Sequence, residues 1–425
     1  MLLTFATLSW QKGSAAQVVS LVGELRKLRP DIRVALLSHW PELDGGPARE
    51  LGIDVVGPAF PLRASRDRRS VEMLWRHLRC AGSGAWRRVG VGRRLWPDDS
   101  VAQAYAEADL VIDLSGDSYR DPPGGVAFAH HAVFLAALST GTPFALASQS
   151  LGPFLWPNGR CVRYLLDRAE LVYIRERRTA AILADLGVRP DRIEVAPDVA
   201  FALPAASAEP IWAGERMDPD RIPRPWIALS VSALVLGLRH RGKRYLPEMI
   251  ELCNHLRRRY DASIFLVPHE ISPMPLGADD DRSAASVLRS RMGGPHWLYA
   301  IQGDYGPGVL KGLISRCDAV VAARMHAAIA GLSTGVATLP VAWSHKYVGL
   351  MEDIGLADYV WDQSETERSA SLSDLFDRLW ERREPIRAHL LDFCARAQGR
   401  ISAVVGRLAT HLVGAPPTEH TEEML

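Results

Sequence analysis

Residues 317–339 have the sequence CDAVVAARMHAAIAGLSTGVATL. Asp318–Ala323 is a short apolar run, which is typical of a strand that is covered on both faces of a parallel sheet. The small residues of Ala327–Ser333 predict a helix, and the apolar run Ala337–Val341 predicts a further strand. This stretch therefore predicts one strand–helix–strand unit of a doubly wound α/β domain.

The same alternation of short apolar runs and helical patterns extends along the chain. Helical patterns such as Ala15–Leu28 and Arg177–Leu186 separate the apolar runs of the first half. The predicted strands of that half are Leu2–Leu8, Val34–Ser38, Asp54–Gly57, Leu110–Leu114, Phe144–Ser148 and Leu171–Ile174. In the second half, the strands predicted before residue 317 are Ile227–Val231, Ile264–Val267 and Trp297–Ile301. The chain thus contains two βα series.

A proline-rich segment divides the two series. Five prolines lie between Leu203 and Pro225, and they interrupt the βα pattern. We therefore predict an N-terminal Rossmann-like domain over 1–205, a linker over 206–225, a C-terminal Rossmann-like domain over 226–371, C-terminal helices over 372–414 and a disordered tail over 415–425. Two doubly wound domains joined by one linker indicate a glycosyltransferase-B-like architecture, with the active site in the interdomain cleft.

Composition and charge argue against several classes of protein. The chain has 425 residues and 48% hydrophobic content, which is too long for one compact core. Because 50 basic residues balance 49 acidic ones, a globally basic nucleic-acid-binding protein is not indicated. The five cysteines are dispersed, so we expect reduced thiols and a cytoplasmic location. The N-terminus is expected to form a strand rather than a signal peptide, and the longest apolar stretch is a poor membrane span.

Arg324, Met325 and His326 lie where the predicted strand ends and the predicted helix begins. The N-terminus of a helix attracts anions, arginine offers a planar fork of donors, and histidine titrates near neutral pH. These features together favour a site for a small phosphorylated acid. Arg324 and His326 are equally compatible with simple capping of a buried helix, and composition alone does not separate the two interpretations.

Several further segments carry glycines, acidic residues or basic residues at suggestive positions. In chain order they are LVIDLSGD at 110–117, GTPFALASQSLGPF at 141–154, RERRTAAILADLG at 175–187, Pro197-Asp198 with Phe201, RMHAAI at 324–329, and Lys346 after His345. Taken in this order, they resemble the motifs of the polysaccharide pyruvyl transferase family, over roughly Thr4 to Leu356.

One segment departs from the family pattern. Many members have an Asn-x-Gly-Asp turn after the first strand, where this chain has Gln11-Lys12-Gly13-Ser14.

The resemblance implies a reaction and a donor site. It implies transfer of the pyruvyl group of phosphoenolpyruvate to a saccharide or saccharide-like acceptor, forming a ketal. Arg324 and His326, with Met325 between them, are then expected to bind the donor, and His326 to move a proton. Lys346 is expected to hold the phosphate as a point charge, unless it is a solvated loop lysine. No cofactor is expected beyond phosphoenolpyruvate, which is itself the donor substrate.

A basic run, HRGKR at 240–244, follows the first predicted strand of the second domain. Arg241 and Lys243 either complete the phosphate site or belong to an exposed basic loop. The adjacent His130 and His131 face different directions on a helix, and no other cluster of metal ligands is evident, so we predict no required metal.

The acceptor is expected to bind at the end of the strand that precedes LSGD. Asp113 and Asp117 flank Ser115 and Gly116 there, and Asp117 is expected to orient or deprotonate an acceptor hydroxyl. Both aspartates are also compatible with turn formation. Other charged residues at neighbouring strand ends are interpreted as structural ion-pair partners: Arg175, Glu176 and Asp198.

The segment Arg63–Trp96 combines ten arginines with three tryptophans. Such a composition suits a surface that lies on an anionic membrane, or a clamp over an anionic acceptor. It also suits an ordinary pair of solvated helices with tryptophans in the core. We therefore retain possible peripheral contact with the inner face of the membrane through residues 63–96.

Two other functions remain open at this point. The first is a nucleotide-sugar-dependent glycosyltransferase of the same fold, although the expected glycine-rich phosphate loop after the first strand is absent from the sequence. The second is a non-catalytic carbohydrate-binding relative, against which the joint presence of Arg324, His326 and Lys346 argues.

Overall fold

The computed structural model of the protein describes residues 1–57, 66–88, 100–117, 119–121, 131–237, 242–272, 279–362 and 370–412. The first domain alternates strands and helices. Its strands are β1 (Leu2–Thr4), β2 (Ala35–Leu37), β3 (Asp54–Val56), β4 (Val111–Asp113), β5 (Phe144–Gln149), β6 (Leu171–Ile174) and β7 (Ile193–Val195). Its helices are α1 (Lys12–Leu28), α2 (Pro41–Leu51), α3 (Arg66–Arg88), α4 (Ser100–Glu107), α5 (His131–Thr140), α6 (Asn158–Leu166) and α7 (Arg177–Leu186).

The second domain repeats this plan. Its strands are β8 (Trp226–Ser230), β9 (Ser263–Leu266), β10 (Leu298–Ala300), β11 (Ala319–Ala322), β12 (Thr338–Ala342) and β13 (Trp361–Asp362). Its helices are α8 (Glu209–Gly214), α9 (Ala233–Gly237), α10 (Gly242–Tyr260), α11 (Asp281–Arg291), α12 (Pro307–Ser315), α13 (Met325–Leu332) and α14 (His345–Ile354). Two helices end the described chain, α15 (Leu372–Glu381) and α16 (Arg383–Ala409).

Each series of strands forms its own parallel sheet. In the described residues the first sheet has the order β3-β2-β1-β4-β5-β6-β7, and the second has the order β10-β9-β8-β11-β12-β13. In both sheets the order reverses beside the first strand, which is the doubly wound pattern. The predicted fold class, two Rossmann-like domains in a glycosyltransferase-B-like arrangement, is confirmed.

The central strands are buried on both faces, which explains their continuous apolar sequences. All six residues of β5 and all five of β8 are buried. Two short strands were not predicted, β7 and β13. Strand β7 is only partly buried and β13 has two residues, so neither produces a clear apolar run. Glycines in the left-handed conformation end α7 and α14, namely Gly187 (φ 76°) and Gly355 (φ 83°).

Residues 206–225, predicted as a linker, fold against the second domain. Helix α8 lies in this segment, and its Trp212 packs on Trp226 and Phe265 with ring centroids 5.8 Å away in each case. The backbone N–H of Ala206 donates to the carbonyl of Gly308 at 2.9 Å. The proline-rich composition therefore marks the passage between sheets, but the segment is packed rather than free.

Helix α16 returns from the second domain to the first. The hydroxyl of Ser402 donates to Glu24 of α1 at 3.1 Å, and Phe393 packs edge-on against Phe201. Arg400 donates to the carbonyl of Val195 at 2.6 Å. The chain thus connects the two domains twice, through the 206–225 segment and through α16.

Several predictions fall on residues that the structure does not describe. The predicted disordered tail over 415–425 and the ends of the Arg63–Trp96 segment are among them. The middle of that segment is helix α3, in which Trp75 is 61% exposed. Within the described ranges, no helix has the length and apolar character needed to cross a membrane.

Candidate active site

A cleft of about 520 Å³ lies between the carboxyl ends of the two sheets. The segments after β1 and β4 and part of α3 form one wall, and the segments after β9, β11 and β12 form the other. The cleft walls include Ser115, Gly116, Asp117, Arg324, Met325, His326 and Lys346. Because ligands of doubly wound sheets bind at this edge, the cleft is the candidate active site.

Helix α13 begins inside the cleft. Arg324 precedes it with an extended backbone (φ −112°, ψ 129°), which turns the chain from β11 into the helix. The side chain of Arg324 does not cap the helix, and Met325 and His326 of the first turn both line the cleft. The unsatisfied N–H groups of a first helical turn attract negative charge, so this end of the cleft suits an anion.

The guanidinium of Arg324 lies between two carboxylates. Nε lies 3.0 Å from Oδ2 of Asp281 and Nη2 lies 2.7 Å from its Oδ1, while Nη1 pairs with Glu270. Burial would lower the pKa of Arg324, but Asp281 and Glu270 hold it above its ordinary value. The guanidinium of Arg324, which we expected to bind an anionic donor, therefore already binds the carboxylates of Asp281 and Glu270.

The imidazole of His326 lies beside a carboxylate of the other domain. Its Nε2 is 3.6 Å from Oδ2 of Asp198, which follows β7. The same oxygen accepts hydrogen bonds from Nη1 of Arg175 at 2.7 Å and from Nε2 of Gln17 at 3.1 Å. Arg175 and Asp198 thus form the ion pair expected from the sequence, and the structure adds His326 to it.

The electrostatics of this cluster favour a charged Asp198. Burial would raise the pKa of Asp198, but His326 and Arg175 hold it below its ordinary value. Another histidine of the cleft, His269, is buried, and this burial lowers its pKa to about 3 and keeps it neutral.

Helix α1 approaches His326 very closely. A Cβ atom at Gly13 would lie 2.2 Å from Nδ1 of His326. Only a glycine leaves room for the ring at this distance. Gly13, which lies in the first turn of α1 and which the family pattern shares, therefore leaves the space that the imidazole occupies.

Lys346 of α14 reaches across the cleft to the first domain and pairs with Asp117. Burial lowers the pKa of Lys346, and Asp117 partly opposes this effect. Burial would raise the pKa of Asp117, but Lys346 and Arg175 hold it below its ordinary value. The two side chains form an interdomain ion pair at which an incoming anion would compete with Asp117 for Lys346.

Asp113 lies beneath the cleft rather than in its wall. The hydroxyl of Tyr119 donates to its Oδ2 at 2.7 Å, and the N–H of Ser115 donates to its Oδ1 at 2.8 Å. Burial raises the pKa of Asp113 to about 6. Asp113 therefore shapes the turn that presents Asp117, and Gly116 (φ 76°) allows that turn its left-handed backbone.

The basic run at 240–244 is described only in part, since Gly242 to Arg244 begin α10. Arg241 lies outside the described residues, and nothing is described of the side chain of Lys243. In the part of the chain that is described, no three His, Cys, Asp or Glu side chains are arranged to hold a metal ion. The predicted independence from metals stays a prediction.

Three acidic residues of the site were not anticipated in their observed positions. Glu270 comes from the segment after β9 and Asp281 is the first residue of α11, and nothing in their local sequence marks them as partners of Arg324. Asp198 belongs to the Pro197-Asp198 motif that resembles the family pattern. That motif is the sequence signal from which its position near His326 could have been predicted.

The fold and the cleft define a two-domain α/β protein with a candidate active site between its domains. More particularly, the chain belongs to the polysaccharide pyruvyl transferase family, whose model, described as Polysaccharide pyruvyl transferase, matches residues 12–345, and the protein is therefore a transferase. It is 20% identical over 366 residues to the amylovoran biosynthesis protein AmsJ of Erwinia amylovora, covering 83% of this chain and 85% of AmsJ. The resemblance found in the sequence is thereby confirmed.

Solved structures show the same architecture at low sequence identity. A putative UDP-N-acetylglucosamine 2-epimerase from Listeria monocytogenes has a TM-score of 0.59 at 12% identity, covering 96% of this chain and 95% of its own. Anabaena HepE in complex with UDP and glucose has a TM-score of 0.55 at 13% identity, with coverage of 96% and 98%. At these identities the likeness concerns the fold alone.

Proposed function

We propose that the protein transfers the pyruvyl group of phosphoenolpyruvate to two hydroxyls of a saccharide, forming a cyclic ketal and releasing phosphate. The observation that carries this proposal is the meeting of His326 with Asp198 and of Lys346 with Asp117 in one interdomain cleft, in a chain of this family. The cleft offers a proton-transfer group, a cation for phosphate and a carboxylate for a hydroxyl. The donor carries its own leaving group, so the proposal includes no cofactor and no metal.

Donor binding is assigned to the second domain. The phosphate of phosphoenolpyruvate replaces Asp117 at Lys346, and its carboxylate lies at the first turn of α13. Direct contact between the donor and Arg324 requires the donor carboxylate to replace Glu270 at Nη1. After this exchange the guanidinium still lies between two carboxylates, that of Asp281 and that of the donor.

The chemistry then follows in two balanced steps. An acceptor hydroxyl adds to C2 of the donor, while protonated His326 gives its proton to C3, so the C=C bond becomes a C–O bond and a methyl group. Asp117, released from Lys346, accepts the proton of the hydroxyl. In the second step the C2–O(phosphate) bond breaks and phosphate leaves with its electron pair, taking the proton held by Asp117. A neighbouring hydroxyl bonds to C2 and gives its proton to the neutral His326, so both side chains return to their starting states.

The role of His326 is tested by His326→Ala. If the imidazole transfers a proton, turnover should fall by about 10²–10⁴-fold while the protein stays folded. If it only binds the donor, the change should appear mainly in KM. The assay follows phosphate release from phosphoenolpyruvate with a saccharide acceptor, beside a melting curve. His296→Ala, an exposed histidine outside the cleft walls, is the matched control. Normal kinetics for His326→Ala would contradict the assignment.

Arg324→Lys separates donor contact from structural support. Lysine keeps the charge but loses the fork, so direct contact predicts donor binding weaker by about 1–3 kcal/mol. A purely structural role predicts a lower melting temperature with unchanged donor affinity, because the buried carboxylates of Asp281 and Glu270 lose hydrogen bonds from the fork. Melting shifts with phosphoenolpyruvate, UDP-sugars and GDP-sugars test the donor class in the same experiment. Stabilisation by a nucleotide sugar alone would favour a glycosyltransferase.

The location of the protein follows from the same proposal. We propose a cytoplasmic enzyme, because its five cysteines form no disulfide and phosphoenolpyruvate is a metabolite of that compartment. Peripheral contact of residues 63–96 with an anionic membrane remains part of the proposal. Sedimentation with anionic vesicles at low salt, and release at high salt, would support it, since salt screens surface charge.

A further inference from the structure

Phe5 has a backbone conformation that large side chains rarely adopt. It follows β1 with φ at 53°, in the left-handed region that favours glycine. Of the four non-glycine residues with positive φ in the described ranges, Phe5 alone lines the cleft. Strained residues of this kind concentrate at binding and catalytic sites, where the surrounding structure holds them in place. The strain at Phe5 therefore points to a function of its side chain.

Phe5 lies at the point of the first sheet where the strand order reverses. Strand β1 lies between β2 and β4, and Thr4 is paired with Asp113 of β4. The turn that presents Asp117 therefore begins beside Phe5, on a strand about 4.8 Å away. On the other side of Phe5, His39 follows β2 and also lines the cleft. Ligands of doubly wound sheets bind in the crevice at this position.

A buried carboxylate holds the segment after Phe5 in place. Oδ1 of Asp44 in α2 accepts hydrogen bonds from the backbone N–H groups of Leu8 and Ser9, both at 2.9 Å. Its Oδ2 accepts a hydrogen bond from the hydroxyl of Ser38, which follows β2. One fully buried carboxylate thus connects the segments after β1 and β2, and these charge-assisted hydrogen bonds stabilise the backbone next to the strained residue.

The ring of Phe5 is supported by its neighbours but is not covered by them. The imidazole of His77 in α3 lies nearly parallel to it, with ring centroids 6.3 Å apart and an interplanar angle of 21°. The ring of His39 meets it edge-on at 6.1 Å. Phe5 stays partly exposed, and its exposed surface belongs to the wall of the cleft. The ring therefore offers the cleft a flat apolar surface in a fixed orientation.

We propose that one pyranose ring of the acceptor stacks on Phe5, which selects a sugar with a flat face of C–H groups. This inference rests on the proposed function and adds a specificity-determining residue to it. A pyranose buries its apolar C–H face on an aromatic ring, while the hydroxyls at its edge remain free for hydrogen bonds. Stacking on Phe5 places these hydroxyls beside the turn that carries Asp117, the proposed proton acceptor.

Saturation-transfer NMR with simple sugars tests the stacking without turnover. The methyl β-glycosides of glucose, galactose, mannose and N-acetylglucosamine are titrated, with inorganic phosphate in place of the donor. Sorbitol is the reference, because it offers hydroxyls without a ring face. At least one glycoside should bind more tightly than sorbitol. Phe5→Leu should weaken its binding by roughly two- to tenfold, which is the contribution of an aromatic contact beyond its buried area.

Three further variants keep the test decisive. Phe5→Tyr retains the ring and should bind the glycoside as the wild type does. Phe5→Gly adopts the same backbone without strain, so it should fold and yet bind no better than Phe5→Leu. Phe154→Leu is the matched control, because Phe154 is partly buried against the same core cluster as Phe5 but lies outside the cleft walls. It should leave glycoside affinity unchanged, and melting curves confirm that each variant is folded.

Each outcome decides for or against the proposal. Equal glycoside affinity in the wild type and Phe5→Leu, an equal loss in Phe154→Leu, or no glycoside bound more tightly than sorbitol would overturn it. The melting shift with phosphoenolpyruvate reports on the donor separately. A normal shift beside glycoside binding that ignores Phe5 would refute the stacking and leave the reaction standing. No shift beside glycoside binding that depends on Phe5 would refute the proposed reaction and support the sugar site.

Discussion

Gly13 and His326 illustrate how closely the two domains meet at single residues. Gly13 belongs to α1 of the first domain and His326 to α13 of the second, and a Cβ at Gly13 would lie 2.2 Å from Nδ1 of the imidazole. A methyl group at this position must displace either the ring or the helix. Because His326 Nε2 lies 3.6 Å from Asp198, a small displacement would change that contact as well.

We therefore expect Gly13→Ala to reduce turnover by about 10²-fold or more, because a misplacement of about 1 Å at a reacting group has that effect. Gly23→Ala is the control within the same helix, since nothing lies within 4 Å of a Cβ there. It should leave turnover unchanged and stabilise the protein by about 0.5–1 kcal/mol. Steady-state kinetics and melting curves of both variants provide the measurement. Equal kinetics for the two variants would contradict the proposed placement of His326.

Glu176 is a buried carboxyl group next to the cleft cluster. It accepts hydrogen bonds from Ser150 at 2.9 Å and from Thr179 at 2.5 Å. Burial raises its pKa to about 7, against the opposing effect of Arg175. The folded state therefore holds this proton more tightly than the unfolded state, and stability must fall as pH rises from about 4.5 to about 7.

Glu176→Gln removes this titration while keeping an acceptor oxygen. Relative to the variant, the wild type should lose up to about 3 kcal/mol of unfolding free energy between pH 4.5 and pH 7.5. Denaturant unfolding at several pH values measures the unfolding free energy of both proteins. All other titrating groups are the same in the two proteins, so their effects cancel in the difference. Parallel pH profiles would show that Glu176 is ionised throughout this range in the folded state.

At the scale of elements, α12 fixes the passage between the two sheets. A Cβ at Gly312 would lie 1.8 Å from the carbonyl oxygen of Ala206, which belongs to the segment between the sheets. Backbone rather than a flexible side chain occupies that space. The segment and the helix can therefore pack only because residue 312 has no side chain.

Gly312→Ala should destabilise the protein by about 1–3 kcal/mol, since overpacking forces the backbone to move. Gly399→Ala in α16 has open space around the added methyl group and should stabilise by about 0.5–1 kcal/mol. Denaturant midpoints of the two variants and the wild type measure these opposite effects. A Gly312→Ala protein as stable as the wild type would show that the 206–225 segment is free to shift.

A strand or helix could be predicted when its burial produces a recognisable apolar pattern in the local sequence. Strands such as β5 and β8 are buried throughout and form unmistakable apolar runs, whereas β7 is partly exposed and was missed. The start of α13 was predicted within two residues. Its electrostatic surroundings were not, because Asp281 lies 43 residues from Arg324 in sequence and meets it only through the fold.

For the whole molecule, ion pairs beside the cleft connect the domains directly. Arg178 of α7 forms two hydrogen bonds of 2.6 Å with the carboxylate of Glu352 in α14. Both side chains are about 40% exposed, so the pair contributes little to stability, about 0.2–1 kcal/mol. The pair nevertheless links α7 of the first domain to α14 of the second, so its two charges bear on the spacing of the domains at that edge.

Arg178→Glu should raise the KM for phosphoenolpyruvate severalfold with little change in melting temperature, since like charges separate the domains beside the cleft. The exchange Arg178→Glu with Glu352→Arg should restore the wild-type KM, because the pair is rebuilt in reverse. Steady-state kinetics with small-angle scattering of the three proteins measures both effects. A double variant with a KM no better than that of Arg178→Glu alone would rule out a role for this pair in setting the spacing of the domains.

The return of α16 to the first domain has a consequence for biosynthesis. Buried residues of α16, including Ile401, Val405 and Leu408, belong to the same core as α1. The first domain is complete in sequence by about residue 205, but this part of its surface is covered only when residues 383–409 have been made. At roughly 5–20 residues per second, the ribosome needs about 10–40 s for the intervening 200 or so residues. During that interval the nascent first domain exposes an apolar face, which makes it a natural client for a chaperone.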